Sequence, residues 1–176
     1  EMSPLKESVD EMFLGPFGSS LKVSCYVPEE DSFAMVYEQK HAIQAKLDLD
    51  NHFIDKEKFD SLARFEVKPY DFIMSCRGTI GKIYQLPKNA PKGIIHPSLM
   101  KIRINNDIYD YVFFEYTLRK IIIEQTTKGN CVQMAITAKE LGKMDFILPP
   151  RSLQQEFAAK VEAIESAKAE INAQIA

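Results

Sequence analysis

The sequence lacks the segments that would place a protein across a membrane. No run of about 18 apolar residues occurs, so no transmembrane helix is predicted. Residues 1–4 have neither the basic start nor the apolar core of a secretory signal peptide. With 45% apolar and 27% charged residues among 176, the composition is that of an ordinary soluble globular protein, long enough for one domain or for one domain with an appended element.

Cysteine is scarce, and its spacing excludes two common uses. Cys25, Cys76 and Cys131 are far apart, odd in number and never in a Cys-x-x-Cys pair, which argues against a disulfide framework and against a zinc site. The three histidines show no regular metal-ligand spacing either. We therefore expect no metal and a reducing, cytoplasmic location.

The motifs of cofactor-dependent enzymes are also missing. No Gly-x-Gly-x-x-Gly and no Asn-Pro-Pro-Tyr-like motif occurs, so binding of S-adenosylmethionine is not predicted. The segment 78–82, GTIGK, is too short for a phosphate-binding P-loop and precedes a predicted strand rather than a helix. Its Gly-x-x-Gly also differs from the RNA clamp of KH domains, which joins two helices. No cofactor and no catalytic residue are predicted.

One enzymatic alternative stays open on sequence grounds. Glu66 and Lys68 have the Glu-x-Lys spacing found in many nucleases, and Asp60 lies shortly before them. No well-placed Pro-Asp precedes the pair, and matches this short often arise by chance. A metal-dependent nuclease built around Asp60, Glu66 and Lys68 is the alternative hypothesis.

Charge is unevenly distributed along the chain. The net charge is −3, which by itself disfavours a nucleic-acid partner. However, residues 72–106 contain no acidic residue, and the rest of the chain has 16 basic and 25 acidic residues. This basic stretch predicts either a steering surface for an anionic partner or a solvated basic face. Its cations are Arg77, Lys82, Lys88, Lys92, Lys101 and Arg103.

Apolar periodicity predicts an α/β or α+β domain over 1–150, with a mixed, curved β-sheet and short helices. Asp107 is expected to cap a largely buried helix from 108 to about 123, and Thr137-x-x-Glu140 is a capping box for a short helix. The predicted strands are 32–37, 72–76, 80–86, 100–104, 131–136 and 145–148, with a short helix at 55–63.

The composition changes after the double proline at 149–150. Ser152-x-x-Gln155 is a second capping box, and no glycine or proline follows through Ala176. An apolar stripe with a seven-residue repeat then predicts a long coiled-coil-like helix over 151–176 that packs along a partner helix. A helix folded back onto its own domain is the alternative. The stripe consists of Phe157, Val161, Ile164, Ile171 and Ile175.

Several segments together resemble the specificity subunits of Type I restriction-modification systems. Their order and spacing cover nearly the whole chain, although each segment alone is weak. The segments are GPFGSSLK at 15–22, DFIMSCRGTIGK at 71–82, GNCVQ at 129–133, FILPP at 146–150 and LQQEF at 153–157.

The resemblance implies a target-recognition domain for one half of a bipartite DNA site. In that family, each of two recognition domains is followed by a long helix, and the two helices run antiparallel as a spacer gripped by methyltransferase subunits. The implied partners are double-stranded DNA, methyltransferase subunits, a restriction subunit, and a second recognition domain or a second copy of this chain. The resemblance also implies that the chain is not itself an enzyme. It further implies that the chain is either a truncation or a natural half-subunit from a prokaryote.

The turn Arg77-Gly78-Thr79-x-Gly81 carries the most specific candidate for DNA contact. Glycine permits close approach of the backbone, and the planar guanidinium of arginine matches phosphate or the edge of guanine. The alternative is that Arg77 forms a salt bridge that holds the hairpin. The amides of Asn130 and Gln133 have the donor and acceptor pair that reads adenine. All predicted DNA-binding residues are Lys22, Arg77, Thr79, Lys82, Lys128, Asn130 and Gln133.

Overall fold

The computed structural model describes residues 2–128 and 135–175, and the side chains of 126–128 are not among the described parts. The strands are β1 Met2–Pro4, β2 Val9–Leu14, β3 Ala34–Tyr37, β4 His52–Ile54, β5 Glu66–Val67, β6 Phe72–Ser75, β7 Ile83–Gln85, β8 Gly93–Ile95, β9 Leu99–Ile104 and β10 Asp145–Ile147. The helices are α1 Gln39–Gln44, α2 Lys56–Ser61, α3 Tyr111–Lys128, α4 Ala138–Leu141 and α5 Arg151–Ile175.

Within residues 2–128 and 135–175, the strands form two four-stranded sheets and a two-stranded ribbon. The first sheet has the order β2-β9-β6-β7 and is antiparallel throughout. The second has the order β4-β3-β8-β5 and is mixed, because β3 and β8 run parallel. β1 pairs with β10 in the ribbon. The predicted mixed α/β class with short helices and a long C-terminal helix is confirmed, with the strands divided between two sheets.

The central strand β6 is buried on both faces, which explains its uninterrupted apolar sequence. Phe72 and Met74 belong to the core that the first sheet shares with α3, whereas Ile73 belongs to the core of the second sheet. The first core contains a group of contacting aromatic rings, in which the centroids of Phe114 and Phe146 are 4.9 Å apart. The first sheet therefore lies between α3 and the second sheet.

The start of α3 differs from the prediction. Asp107 does not cap the helix, because its own N–H donates to the side chain of Asn105 in a preceding turn. The cap is Asp110, whose Oδ1 accepts hydrogen bonds from the backbone N–H groups of Val112, at 2.9 Å, and Phe113, at 3.2 Å. The helix also continues to Lys128, beyond the predicted end.

Burial along α3 is one-sided, so the expectation of a largely buried helix is only partly right. Phe114, Leu118 and Ile122 are buried, and Tyr116 and Ile123 on the other side are exposed. An amphipathic surface helix, covering the first sheet with one face, accounts for this pattern.

The two predicted capping boxes have different outcomes. The box at Thr137 is confirmed, since Glu140 N–H donates to the Thr137 hydroxyl and the Glu140 carboxylate accepts from the Thr137 N–H. The box at Ser152 is wrong, because α5 begins one residue earlier, at Arg151. A residue inside the first turn cannot be the N-cap.

Within the described residues, no helix combines the length and apolarity needed to cross a membrane.

Candidate nucleic-acid interface

The loop of residues 77–82, here called the Arg77 loop, joins β6 to β7 at the end of the first sheet. Gly78 and Gly81 have φ values of +66° and +78°, in the left-handed region that favours glycine. A Cβ added to Gly81 would lie 2.5 Å from Cγ2 of Ile122 on α3. The two glycines thus allow a tight reversal in which the loop backbone lies directly against the helix.

Contacts from other parts of the fold hold the backbone at Arg77. The side-chain amide of Gln39, at the start of α1, donates to the carbonyl of Arg77. Arg77 also forms an isolated antiparallel bridge with Ala135, and the neighbouring Ile136 N–H donates to the Cys76 carbonyl at 3.1 Å. The loop is therefore anchored to the start of α1 and to residues 135–136, which follow α3 in the chain.

The side chains of the Arg77 loop are left available to a partner. Arg77, Thr79 and Lys82 are all exposed. Within residues 2–128 and 135–175, neither Arg77 nor Lys82 forms an ion pair with a carboxylate. The salt-bridge alternative for Arg77 therefore has no support from the described residues.

The basic stretch of 72–106 is not one basic surface. Lys101 is almost fully buried and lies 2.6 Å from the Glu11 carboxylate, and Arg103 binds both oxygens of Asp71 at 2.7 Å. Lys92 lies 3.7 Å from Glu66. Three of the six cations of this stretch are thus neutralised by carboxylates from sequence-distant strands and loops, which leaves Arg77, Lys82 and Lys88.

The paired charges shift the pKa values of their partners. Burial alone would raise the pKa of Glu11, but the hydrogen bond from Lys101 and the charges of Lys101 and Arg103 outweigh it and hold that pKa below its ordinary value. The hydrogen bonds to Asp71 raise the pKa of Arg103. These cations stabilise the fold and are not free to bind phosphate.

The residues of the nuclease alternative do not form one site. Asp60 lies on α2, where its carboxylate pairs with Lys56 at 2.6 Å. Glu66 and Lys68 line a different feature, a cleft of about 400 Å³ shared with Glu11 and the two paired cations Lys101 and Arg103. Among the described residues no group of three or more His, Cys, Asp or Glu side chains is arranged to hold a metal ion. No observation favours the nuclease.

Sequence reasoning missed a polar cluster at the carboxyl ends of the parallel strands β3 and β8. Glu38 binds the imidazole of His52 at 2.9 Å and Lys40 at 2.8 Å. Burial would raise the pKa of Glu38, but hydrogen bonds from Lys40 and His52 lower it. Burial lowers the pKa of His96, which follows β8, and the positive charge of Arg77 acts in the same direction. The parallel pairing of β3 with β8 brings His96 beside the end of β3, and the hydrogen bond from Gln39 to the Arg77 carbonyl links this region to the Arg77 loop.

The other predicted DNA-binding residues are not brought to the Arg77 loop by any described contact. Lys22 is exposed just before a 3-10 turn, Val23–Cys25. Its neighbour Leu21 packs in a separate hydrophobic cluster with residues of β3, β4 and β8. Lys128 is the last residue of α3 rather than a loop residue, and its side chain is not described. Asn130 and Gln133 lie outside the described residues, so their roles stay predictions.

The predicted stripe on α5 divides into a packed part and an exposed part. Phe157 contacts Phe113 and Tyr116 of α3 edge to face, with centroids 5.6 and 5.7 Å apart. Val161 is partly buried, and every residue from 162 to 175 is exposed. Ile164, Ile171 and Ile175 expose 64%, 56% and 79% of their surface. The described residues therefore do not cover the second half of the helix, contrary to the alternative of a helix folded back along its whole length.

Solved structures of Type I systems share this fold. A structure concerning complex assembly and conformational transition of the type I R-M system matches with TM-score 0.75 and 20% identity, covering 97% of this chain and 39% of that one. The HsdS subunit of Thermoanaerobacter tengcongensis matches with TM-score 0.73 and 20% identity over 100% of this chain and 40% of that one. The S subunit of M. genitalium matches with TM-score 0.60 and 14% identity, covering 97% and 40%.

The chain thus spans about two fifths of the length of each of these solved chains. No curated protein matches it significantly. A family model does match, described as the Type I restriction modification DNA specificity domain, and it covers residues 25–176. The match includes β3 to β10, the Arg77 loop and α5. The chain belongs to the family of Type I restriction modification DNA specificity domains.

Proposed function

We propose that this chain recognises one half of a bipartite DNA target as the specificity component of a Type I restriction-modification system, and that it performs no catalytic step itself. The observation that carries the proposal is the Arg77 loop. In a member of a DNA specificity family, this loop has an anchored backbone and exposed Arg77, Thr79 and Lys82 side chains. Neither Arg77 nor Lys82 has an ion-pair partner among the described residues.

These three side chains have the chemistry needed to contact DNA phosphates and base edges. The guanidinium of Arg77 can bind phosphate in a bidentate manner or the O6 and N7 atoms of guanine in the major groove. The Lys82 ammonium and the Thr79 hydroxyl suit phosphate oxygens, which receive most protein–DNA hydrogen bonds. Because Lys101 and Arg103 are neutralised inside the fold, the loop supplies a large share of the unpaired positive charge of the basic stretch.

For the organisation of the whole protein, we propose a recognition domain over 1–150 and a spacer helix over 151–176. The exposed surface of α5 from 162 to 175 supports an interaction with another helix, from a second recognition domain or a second copy of this chain. Methyltransferase and restriction subunits are the further partners in this proposal, and a prokaryotic cytoplasm is the location. The spacer would fix the distance between two half-sites, so that binding of the second becomes intramolecular.

Selection of duplexes from a random-sequence library tests the proposed function. The chain should enrich a short common motif, and an unselected duplex of equal length should compete poorly. Arg77→Ala should weaken binding to the selected duplex about tenfold, as expected for loss of one bidentate contact. The control Lys160→Ala removes an equal charge from α5 and should leave binding unchanged. Failure to enrich any motif would contradict the proposal, and so would cleavage of the duplex with magnesium.

A further inference from the structure

Ser75, the last residue of β6, makes an unusual number of contacts with the Arg77 loop. Its hydroxyl donates to the carbonyl of Thr79 and accepts from the backbone N–H of Lys82 at 3.0 Å. Its backbone N–H donates to the carbonyl of Lys82 at 2.9 Å, and its carbonyl accepts from the N–H of Gly81 at 2.8 Å. A single residue thus bonds to three of the six loop residues.

The hydroxyl group of Ser75 has no access to solvent that could replace these bonds. Ser75 is fully buried, among the few buried polar side chains of the described residues. If the hydroxyl were removed, the Thr79 carbonyl would lose its partner and so would the Lys82 N–H. Groups left unpaired in this way move toward water, which here requires the loop to change shape.

The loop that Ser75 closes combines a fixed backbone with free side chains. Gln39 and Ala135 hold its first residue, and Gly81 lies against Ile122 on α3. Arg77 and Lys82 nevertheless extend into solvent without ion pairs to the described residues. Such an arrangement reduces the conformational freedom that a binding loop must lose when it meets its ligand.

We propose that Ser75 is a positioning residue for DNA recognition: its buried hydroxyl sets the shape of the Arg77 loop, and so aims Arg77 and Lys82 at the DNA, without touching DNA itself. This inference rests on the proposed function of the loop. It predicts that Ser75 acts on binding only through the loop side chains. A serine that only stabilised the domain would not show that dependence.

Two variants with a matched control separate positioning from stability. Ser75→Ala removes both side-chain hydrogen bonds and should weaken binding to the selected duplex about tenfold, since the ordering of one loop then has to accompany binding. Ile73→Val lies on the same strand, is equally buried and belongs to the core of the second sheet rather than to the Arg77 loop, so it should lower the melting temperature without changing DNA affinity. Ser75→Cys, similar in size but a weak hydrogen-bond donor, serves if the alanine variant does not fold.

The decisive readout is a double-mutant cycle with the loop side chains. In a background of Arg77→Ala, Thr79→Ala and Lys82→Ala, the further change Ser75→Ala should cost no additional affinity, because the loop side chains that bind DNA are absent. Equal losses in both backgrounds would overturn the inference, and so would an unchanged affinity of Ser75→Ala in the otherwise native chain. If Arg77→Ala with Lys82→Ala itself leaves binding intact, the proposed function of the loop fails, and the Ser75 inference fails with it.

Discussion

Gln154, in the first turn of α5, accepts a 2.8 Å hydrogen bond through Oε1 from the backbone N–H of Asp110, the residue that caps α3. Its amide nitrogen donates to the carbonyls of Ile108, at 3.1 Å, and Pro149, at 3.0 Å. Gln154 is fully buried. One side chain therefore joins the starts of two helices and fixes the direction in which α5 leaves the domain.

Replacement of Gln154 by leucine should lower the free energy of unfolding by about 2 to 4 kcal/mol, because three partly buried backbone groups lose the buried amide that binds them. The neighbouring Gln155 is exposed, so Gln155→Leu is the matched control and should change stability by less than about 0.5 kcal/mol. Urea denaturation measures both. Equal effects of the two substitutions would show that the buried amide does not join the helices.

The stability of the protein should fall in acid partly through Glu38. The pKa of this carboxyl is lowered in the folded state, although burial acts against it, because Lys40 and His52 bind the charged form. A lowered pKa contributes stability that is fully present above the ordinary glutamate value of 4.5 and is lost as the pH falls through the folded value.

Glu38→Gln should therefore be less stable than the native chain at pH 7, and the difference should shrink below pH 4.5. The exposed Glu29→Gln is the control, and its stability should follow that of the native chain at both pH values. Thermal melts over this pH range give the answer. A constant difference between Glu38→Gln and the native chain would exclude the proposed charge pairing as its cause.

The two glycines of the Arg77 loop should respond differently to alanine. Gly78 has open space around its Cβ position, so Gly78→Ala meets only the strain of a positive φ, about 1 to 2 kcal/mol. Gly81→Ala meets the same strain and also the Ile122 side chain at 2.5 Å, so its free energy of unfolding should fall by about 1 kcal/mol more. Chemical denaturation distinguishes the two. Equal losses would mean that the loop does not lie against α3 in solution.

The exposed half of α5 should be dispensable for folding and needed for assembly. Ile164→Asp with Ile171→Asp should leave the fold and weak half-site binding intact, while abolishing self-association and capture of a methyltransferase subunit. Ala159→Asp with Ser166→Asp places the same charges at the same spacing on another side of the helix and should leave assembly unchanged. Sedimentation and a pull-down report the result. Unchanged assembly in the isoleucine variant would remove α5 as the joining surface.

Local signals explain which parts of the fold the sequence predicts. Asp55 caps α2 by accepting from Lys58 N–H at 2.8 Å, and the strand, turn and strand around the Arg77 loop form as expected. Each depends on residues close together in the chain. The choice of Asp110 over Asp107 as the helix cap is harder to predict from the sequence, because it depends on the turn that Asn105 forms just before the helix.

The charge state of the candidate site could not be predicted for a different reason. Lys101 and Arg103 belong to the same acid-free stretch of sequence as Arg77 and Lys82. Pairing of β9 with β2 brings Glu11 to both of them, and Asp71, just before β6, binds Arg103. Which cations remain free thus depends on strand register. The sequence indicated the Arg77 loop through its glycines, whereas the anchors Ser75 and Gln39 become visible only in the structure.

The salt dependence of DNA affinity tests the central claim most directly. The logarithm of the binding constant for the selected duplex falls linearly with the logarithm of the salt concentration, with a slope of about 0.9 for each phosphate contact. If Arg77 or Lys82 neutralises a phosphate, the corresponding alanine variant should bind more weakly and show a slope smaller by about one unit, with its melting temperature unchanged. Native affinity and an unchanged slope in both variants would contradict DNA recognition by the Arg77 loop.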